Sequence, residues 1–161
     1  MITDTQTHTD LNIGLTDAIA RAKAEDTTIL FSYTFQFEAR DLLPLLSHPA
    51  DKNACRIYWE QPREGFALAG LGKTLEINDD HGESIDSLNE KISNYFQQAI
   101  HVSNHPFVGP RFLGGHSFNP QSDSDKTWGE FPRACYILPE CLATLNPDGR
   151  WLTISKMVTK N

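Results

Sequence analysis

Apolar and polar residues change rhythm several times along this chain, and each change marks an element. Residues 28–37, Thr-Ile-Leu-Phe-Ser-Tyr-Thr-Phe-Gln-Phe, pass from a continuous apolar run into strict alternation, with Tyr33, Phe35 and Phe37 on one face. That is the pattern of a strand leaving the covered part of a sheet. Before it, residues 16–24 predict a short amphipathic helix with Leu15, Ile19 and Ala20 on one side, preceded by a disordered polar tail over residues 1–12. After it, residues 41–48 predict a short helix with Pro44 in the first turn, where a missing N–H costs nothing, and with Leu42, Leu43, Leu45 and Leu46 turned inward.

Residues 56–60 and 66–72 are two apolar runs separated by Gln-Pro-Arg-Glu-Gly, a connection of hairpin length, so they predict an antiparallel pair. Leu75-Glu-Ile-Asn78 alternates and reads as strand continuing past a glycine bend. Residues 84–101 give the clearest helix, because Ile85, Leu88, Ile92, Tyr95, Phe96 and Ala99 recur at three and four and Ser87 with Glu90 offers a capping box. Residues 106–140 are apolar blocks cut by Gly-Gly and Pro, which predicts two buried strands joined by a polar loop. Last, residues 133–138 and 151–157 flank Asn146-Pro-Asp-Gly149 and predict a second hairpin. Strands joined mostly by turns, with two or three helices inserted, give an α+β fold: a largely antiparallel sheet with a few packed helices, as one domain over residues 13–161. The chain stops just after a strand, which predicts a sheet edge covered by something outside this sequence.

Composition narrows the function classes. With 161 residues, 39% hydrophobic, and nine Phe, four Tyr and three Trp, the chain can bury a core of its own. A formal net charge of −7 repels phosphate backbones and anionic lipid, so nucleic acid is not an expected partner. No apolar run approaches the roughly 20 residues that span a bilayer, and the polar N-terminus has no signal-peptide pattern, which predicts a cytoplasmic protein without a membrane partner. Cys55, Cys135 and Cys141 are an odd set without a Cys-x-x-Cys pair and read as reduced thiols, the first two as small hydrophobes in strands.

Candidate chemistry is sparse. Ala67-Leu-Ala-Gly-Leu-Gly-Lys-Thr74 ends like a phosphate-cradling loop, but Ala67 stands at the first glycine position and no helix follows. His101 and His105 stand four apart, yet Asn104 and Pro106 end any helix there, which argues against a shared metal. His116, between Gly115 and Ser117, reads as a hydrogen-bonded structural imidazole. The carboxylates of Asp79-Asp80-His81-Gly-Glu83 suit the N-terminus of the following helix and face no acid/base partner. Trp59 and Trp128 lie in apolar blocks and read as core or interface anchors.

Five segments nevertheless occur together in order: Arg56-Ile-Tyr-Trp-Glu60, Phe66-Ala-Leu-Ala-Gly-Leu-Gly72, Gly114-Gly-His-Ser-Phe-Asn-Pro120, Trp128-Gly-Glu-Phe-Pro132 and Ile137-Leu-Pro-Glu140. Their order and spacing resemble the N-terminal portion of the chorismate-utilising enzymes, most of all the isochorismate synthases of the menaquinone or phylloquinone type, over residues 28–156. Anthranilate and aminodeoxychorismate synthases share the general pattern. The resemblance implies an α+β fold with large sheets and peripheral helices, in an enzyme well over twice this length.

It also implies Mg²⁺-dependent conversion of chorismate to isochorismate, with a lysine base activating water, a glutamate acid, and glutamates holding the metal. Those motifs belong to the C-terminal half of the family. None of Lys52, Lys73, Lys91, Lys126, Lys156 or Lys160 matches them. The expectation is therefore a truncated or split N-terminal segment, inactive alone, with no catalytic, cofactor-binding or metal residue of its own. Its expected partner is the missing catalytic half, Mg²⁺ and chorismate entering only with the complete enzyme, and apolar surface left open would favour homo-oligomers. A stand-alone module binding a small molecule or a protein, and a structural subunit of a split synthase, are the competing expectations.

Overall fold

The computed structural model describes residues 4–39, 41–47, 54–79, 84–103, 105–106, 108–117 and 132–160. Helix α1 (Asp4–Ala24) lies against strand β1 (Ile29–Gln36); after the single-turn helix α2 (Leu43–Leu46) come β2 (Arg56–Gln61), β3 (Phe66–Leu71) and β4 (Leu75–Asp79). Helix α3 (Ile85–Gln98) precedes β5 (Ile100–Ser103), β6 (Leu113–His116), β7 (Ala134–Leu138), β8 (Cys141–Asn146) and β9 (Gly149–Val158). Six strands form one sheet in the order β2-β3-β8-β9-β1-β5, and three form a second, β4-β7-β6. All pairings are antiparallel except β1 with β5. The α+β class with largely antiparallel sheets follows directly. Among the described residues no helix is long and apolar enough to cross a membrane.

Register explains why strand β1 is buried on both faces. Tyr33 lies opposite Ile154 and Phe35 opposite Leu152, so the odd-numbered residues of β1 share one face. On that face Ile29, Phe31 and Tyr33 join Ala18 and Ala22 of α1, with Leu11 and Leu15 packed beside them. The other face carries Ser32, Thr34, Thr144, Thr153 and Ser155, all buried. Buried hydroxyls need partners. Thr34 and Thr153 share a hydrogen bond of 2.8 Å across β1 and β9, and Ser32 bonds His101 Nδ1 at 2.8 Å across β1 and β5.

Several elements depart from the sequence pattern for identifiable reasons. Helix α1 begins at Asp4, so most of the expected polar tail is helical, and its inward stripe is Leu11, Leu15, Ala18 and Ala22, not Leu15, Ile19 and Ala20. Small residues win because the helix approaches closely: a Cβ on Gly14 would sit 2.5 Å from Val102 Cγ2. Leu42 is buried as expected, but Leu43 is 48% exposed. The helical cap is Ser84, whose hydroxyl accepts from Ser87 N, one turn before the expected capping box. At the other end Ala99 is extended, with ψ 149°, and residues 100–103 leave the helix to run parallel to β1.

The predicted hairpin of residues 56–60 and 66–72 is β2 and β3. Gly72, at φ 73°, then turns the chain out of the large sheet, so β4 belongs to the second one. The second predicted hairpin is corrected: the turn at residues 146–149 joins β9 to β8, while residues 134–138 pair with β4 and β6. Pro139 separates β7 from β8 and left room for an unrecognised strand of six residues. The two strands expected within residues 106–140 are β6 and β7, but β6 is largely exposed, not buried.

Candidate functional site: an aromatic groove between the sheets

An open groove of about 1120 Å³ is lined by residues from both sheets and from α3. Its floor on the large sheet is Ile57, Trp59 and Gln61 of β2 with Phe66 and Leu68 of β3; Asn89, Ile92 and Phe96 of α3 form one wall, and Phe112, Leu113, Tyr136 and Ile137 another. Strand alternation puts Ile57, Trp59 and Gln61 on one side of β2, and the three- and four-residue spacing of α3 aims Asn89, Ile92 and Phe96 the same way. Trp59 meets Phe66 edge-on with ring centres 5.7 Å apart, and Phe96 meets Phe112 edge-on at 5.6 Å. Trp59 remains 46% exposed and Phe96 37%. Large aromatic residues that are ordered against one another and still half open to water mark a binding or docking surface rather than a finished core.

The groove is poor in reactive groups. Cys135 reaches it, but burial first and the Glu76 carboxylate second hold its thiol above the usual range; burial, then Glu140, does the same for Cys141. Thiols so protonated are poor nucleophiles. All three cysteines are free. Lys73 pairs with Glu76, Lys156 with Glu140 and Lys160 with Asp26, each at the protein surface. The ion pair draws the Glu76 carboxyl below, and the Lys73 ammonium above, their ordinary values. Lys52 and Lys126 lie outside the described residues, as do Asp80, His81, Glu83 and Trp128. A hard dication wants several converging oxygens. Among the described residues no three His, Cys, Asp or Glu side chains come together, so those residues do not fit the Mg²⁺ that the resemblance implies.

The remaining motifs lie in the sheets and their connections. Asp79, last residue of β4, is buried. Gly72-Lys73-Thr74 forms the crossing between sheets, where Thr74 donates to the Ser155 carbonyl at 2.8 Å. His116 Nδ1 lies 3.0 Å from the Ser117 carbonyl on the exposed strand β6. His105 packs against Trp151 with ring centres 4.5 Å apart and ring planes tilted by 49°. His101 belongs to β5, apart from any helix, and burial around its inner edge lowers its pKa.

That shift has a measurable sign. The unfolded chain binds the proton more tightly, so stability falls as pH drops below about 6.5 and levels off beneath the lower folded value. His101 keeps part of its surface in solvent, which keeps the effect small. Urea midpoints at pH 7.5 and 5.5 should differ more for the parent chain than for His101→Gln; equal differences would place the acid sensitivity elsewhere.

Sequence comparison decides the lineage of this scaffold. Residues 17–161 match the profile of the family described as chorismate binding enzyme. The chain belongs to that family. Ile57 and Trp59 of β2, Phe66 and Leu68 of β3, Gly114 and Ile137, all within the matched range, line the groove. The chain is 27% identical to the isochorismate synthase MenF of Bacillus subtilis (strain 168) over 150 residues, which cover 88% of the chain and 32% of that protein. It is 29% identical to the salicylate biosynthesis isochorismate synthase of Pseudomonas aeruginosa over 123 residues, 75% of the chain and 24% of that protein. This chorismate binding enzyme chain thus matches a third or less of each relative's length.

Sequence reasoning identified Trp59 as an anchor but placed Phe96 on a buried helix face. The signal available for both was the same apolar periodicity, which cannot say whether the facing surface is present in the chain.

Proposed function

We propose that this chain is the N-terminal scaffold segment of an isochorismate synthase acting in menaquinone, phylloquinone or siderophore-precursor synthesis in the cytoplasm. The base, the acid and the Mg²⁺-holding glutamates come from the remaining portion of the family enzyme, in the same or a separate polypeptide. The observation that carries this reading is a family match over nearly the whole chain to isochorismate synthases of which it covers only 32% and 24%. Chorismate is bound by the assembled enzyme and not by this segment alone. The scaffold's contribution is to hold an aromatic surface against the catalytic portion.

The half-open groove favours one second reading, a stand-alone module that holds an apolar small molecule or a protein segment. A chimera separates the two. With residues 17–161 replacing the matched segment of the Bacillus subtilis synthase, isochorismate formation from chorismate and Mg²⁺ is expected. A soluble, folded chimera without turnover would overturn the scaffold reading.

A further inference from the structure

Four strand edges end the two sheets among the described residues: β2 and β5 on the large sheet, β4 and β6 on the small one. Strands β5 and β6 have four residues each, and β4 has five with Glu76 tied to Lys73 beside it. Strand β2 is different. It has six residues, five of them exposed, and neither Lys nor Pro within it. Natural edges are guarded by shortness, charged side chains, proline or bulges; β2 is the longest of the four, and its two charges, Arg56 and Glu60, are of opposite sign, so they can pair with those of a second copy.

We propose that two copies of this chain join edge to edge through β2, antiparallel across a two-fold axis, making one continuous sheet of two large sheets. Register follows from geometry. Directly opposed residues in an antiparallel ladder must point their side chains to the same face and their backbone groups the same way. When a strand pairs with itself, the numbers of opposed residues must therefore add to an even sum, and the axis must pass through a residue. Centred on Tyr58, the pairing sets Arg56 opposite Glu60 of the partner subunit and Glu60 opposite Arg56 of the partner subunit. Two opposite-charge pairs flank Tyr58 facing its own copy, and on the groove side Ile57 meets Trp59 of the partner subunit. Centring on Trp59 would lose both charge pairs and bring Pro62 into the ladder.

Tyr58 Oη donates to Glu60 at 3.1 Å, and Arg56 is fixed at the strand's start by donating to the Leu46 and Ala54 carbonyls. A guanidinium with five donors can meet a carboxylate as well. Each copy carries a net charge of −7, so the two repel as whole bodies at low salt. At physiological ionic strength that repulsion is screened beyond about 8 Å, and the contact pairs decide.

Sedimentation velocity of the full chain across the micromolar range at physiological salt should show a concentration-dependent dimer. Glu60→Arg places like charges opposite each other twice and should weaken the dimer at least about tenfold. The charge exchange Arg56→Glu with Glu60→Arg should restore it, which a purely structural role for either residue does not predict. Because Arg56 also anchors two carbonyls, cysteine cross-linking gives an independent reading. Tyr58→Cys should oxidise to a covalent dimer above the parent's background, and Glu60→Cys, also exposed but off the axis, should not. A chain that stays monomeric with no Tyr58→Cys dimer overturns the proposal and leaves the edge to another occupant, such as the rest of the family fold.

Discussion

Incubated with chorismate and Mg²⁺, the pure chain is expected to form no isochorismate above the uncatalysed rate. In the proposed reading the reaction uses a base beside the attacked ring carbon, an acid at the departing hydroxyl, and a cation on the substrate carboxylate. Enzymes that assemble such groups accelerate their reactions by at least about 10⁶-fold, so a scaffold lacking them should lose essentially all of it. Of the described lysines, Lys73, Lys156 and Lys160 are held in surface ion pairs, and none of the described lysines lines the groove. The groove offers aromatic faces and a protonated thiol. Chromatographic detection of isochorismate after extended incubation is the measurement, and turnover proportional to the concentration of pure chain would sink the scaffold reading.

Two adjacent glycines should behave in opposite ways. A Cβ on Gly114 would lie 1.9 Å from the Cys135 carbonyl oxygen and 2.8 Å from Tyr136 Cα, both backbone atoms of the paired strand. Neither atom can rotate away. Gly114→Ala must push β6 off β7, and the expected loss is about 3 kcal/mol, the upper end of overpacking costs. A Cβ on Gly115 meets nothing within 4 Å. Gly115→Ala should therefore be neutral or slightly stabilising, because alanine restricts the unfolded chain. Urea unfolding of the two variants side by side checks this, and similar midpoints would mean that β6 does not pair with β7 in this register.

How much was legible depended on whether the deciding interaction was local. The hairpin of β2 and β3 could be read because its turn residues and its alternation lie within sixteen residues of one another. Helix α3 could be read from Leu88 and Ile92 at heptad-like spacing, and its cap was missed by only one turn because Ser84 and Ser87 are chemically equivalent candidates. Strand β5 was hidden because Ile100 follows Phe96 at helical spacing, and only the distant strand β1 rewards its extended form. Strand β8 was hidden by Pro139, which looks like the end of an element and is in fact the gap between two.

For the groove, the motifs around Trp59, Gly114 and Ile137 pointed to a family before any geometry did. They could not say that those segments would meet around one cleft. That convergence arises from β4 leaving the first sheet at Gly72 and from β6 and β7 following it, a change of sheet that no local pattern encodes. The exposed state of Trp59 was equally unreadable, since an apolar residue looks the same in sequence whether its cover belongs to the chain or to another body.

Strand β9 lies between β8 and β1, with Val158 beside Ile29 and Gly149 beside Asn146. It is the bolt between two groups of strands that otherwise share no ladder, β2-β3-β8 on one side and β1-β5 on the other. During synthesis neither group can close on the other until residues 149–158 have emerged, so the nascent chain carries two unfinished half-sheets up to that point. Trimming those ten residues should cost the whole assembly, whereas trimming the same length elsewhere at the surface would cost one edge.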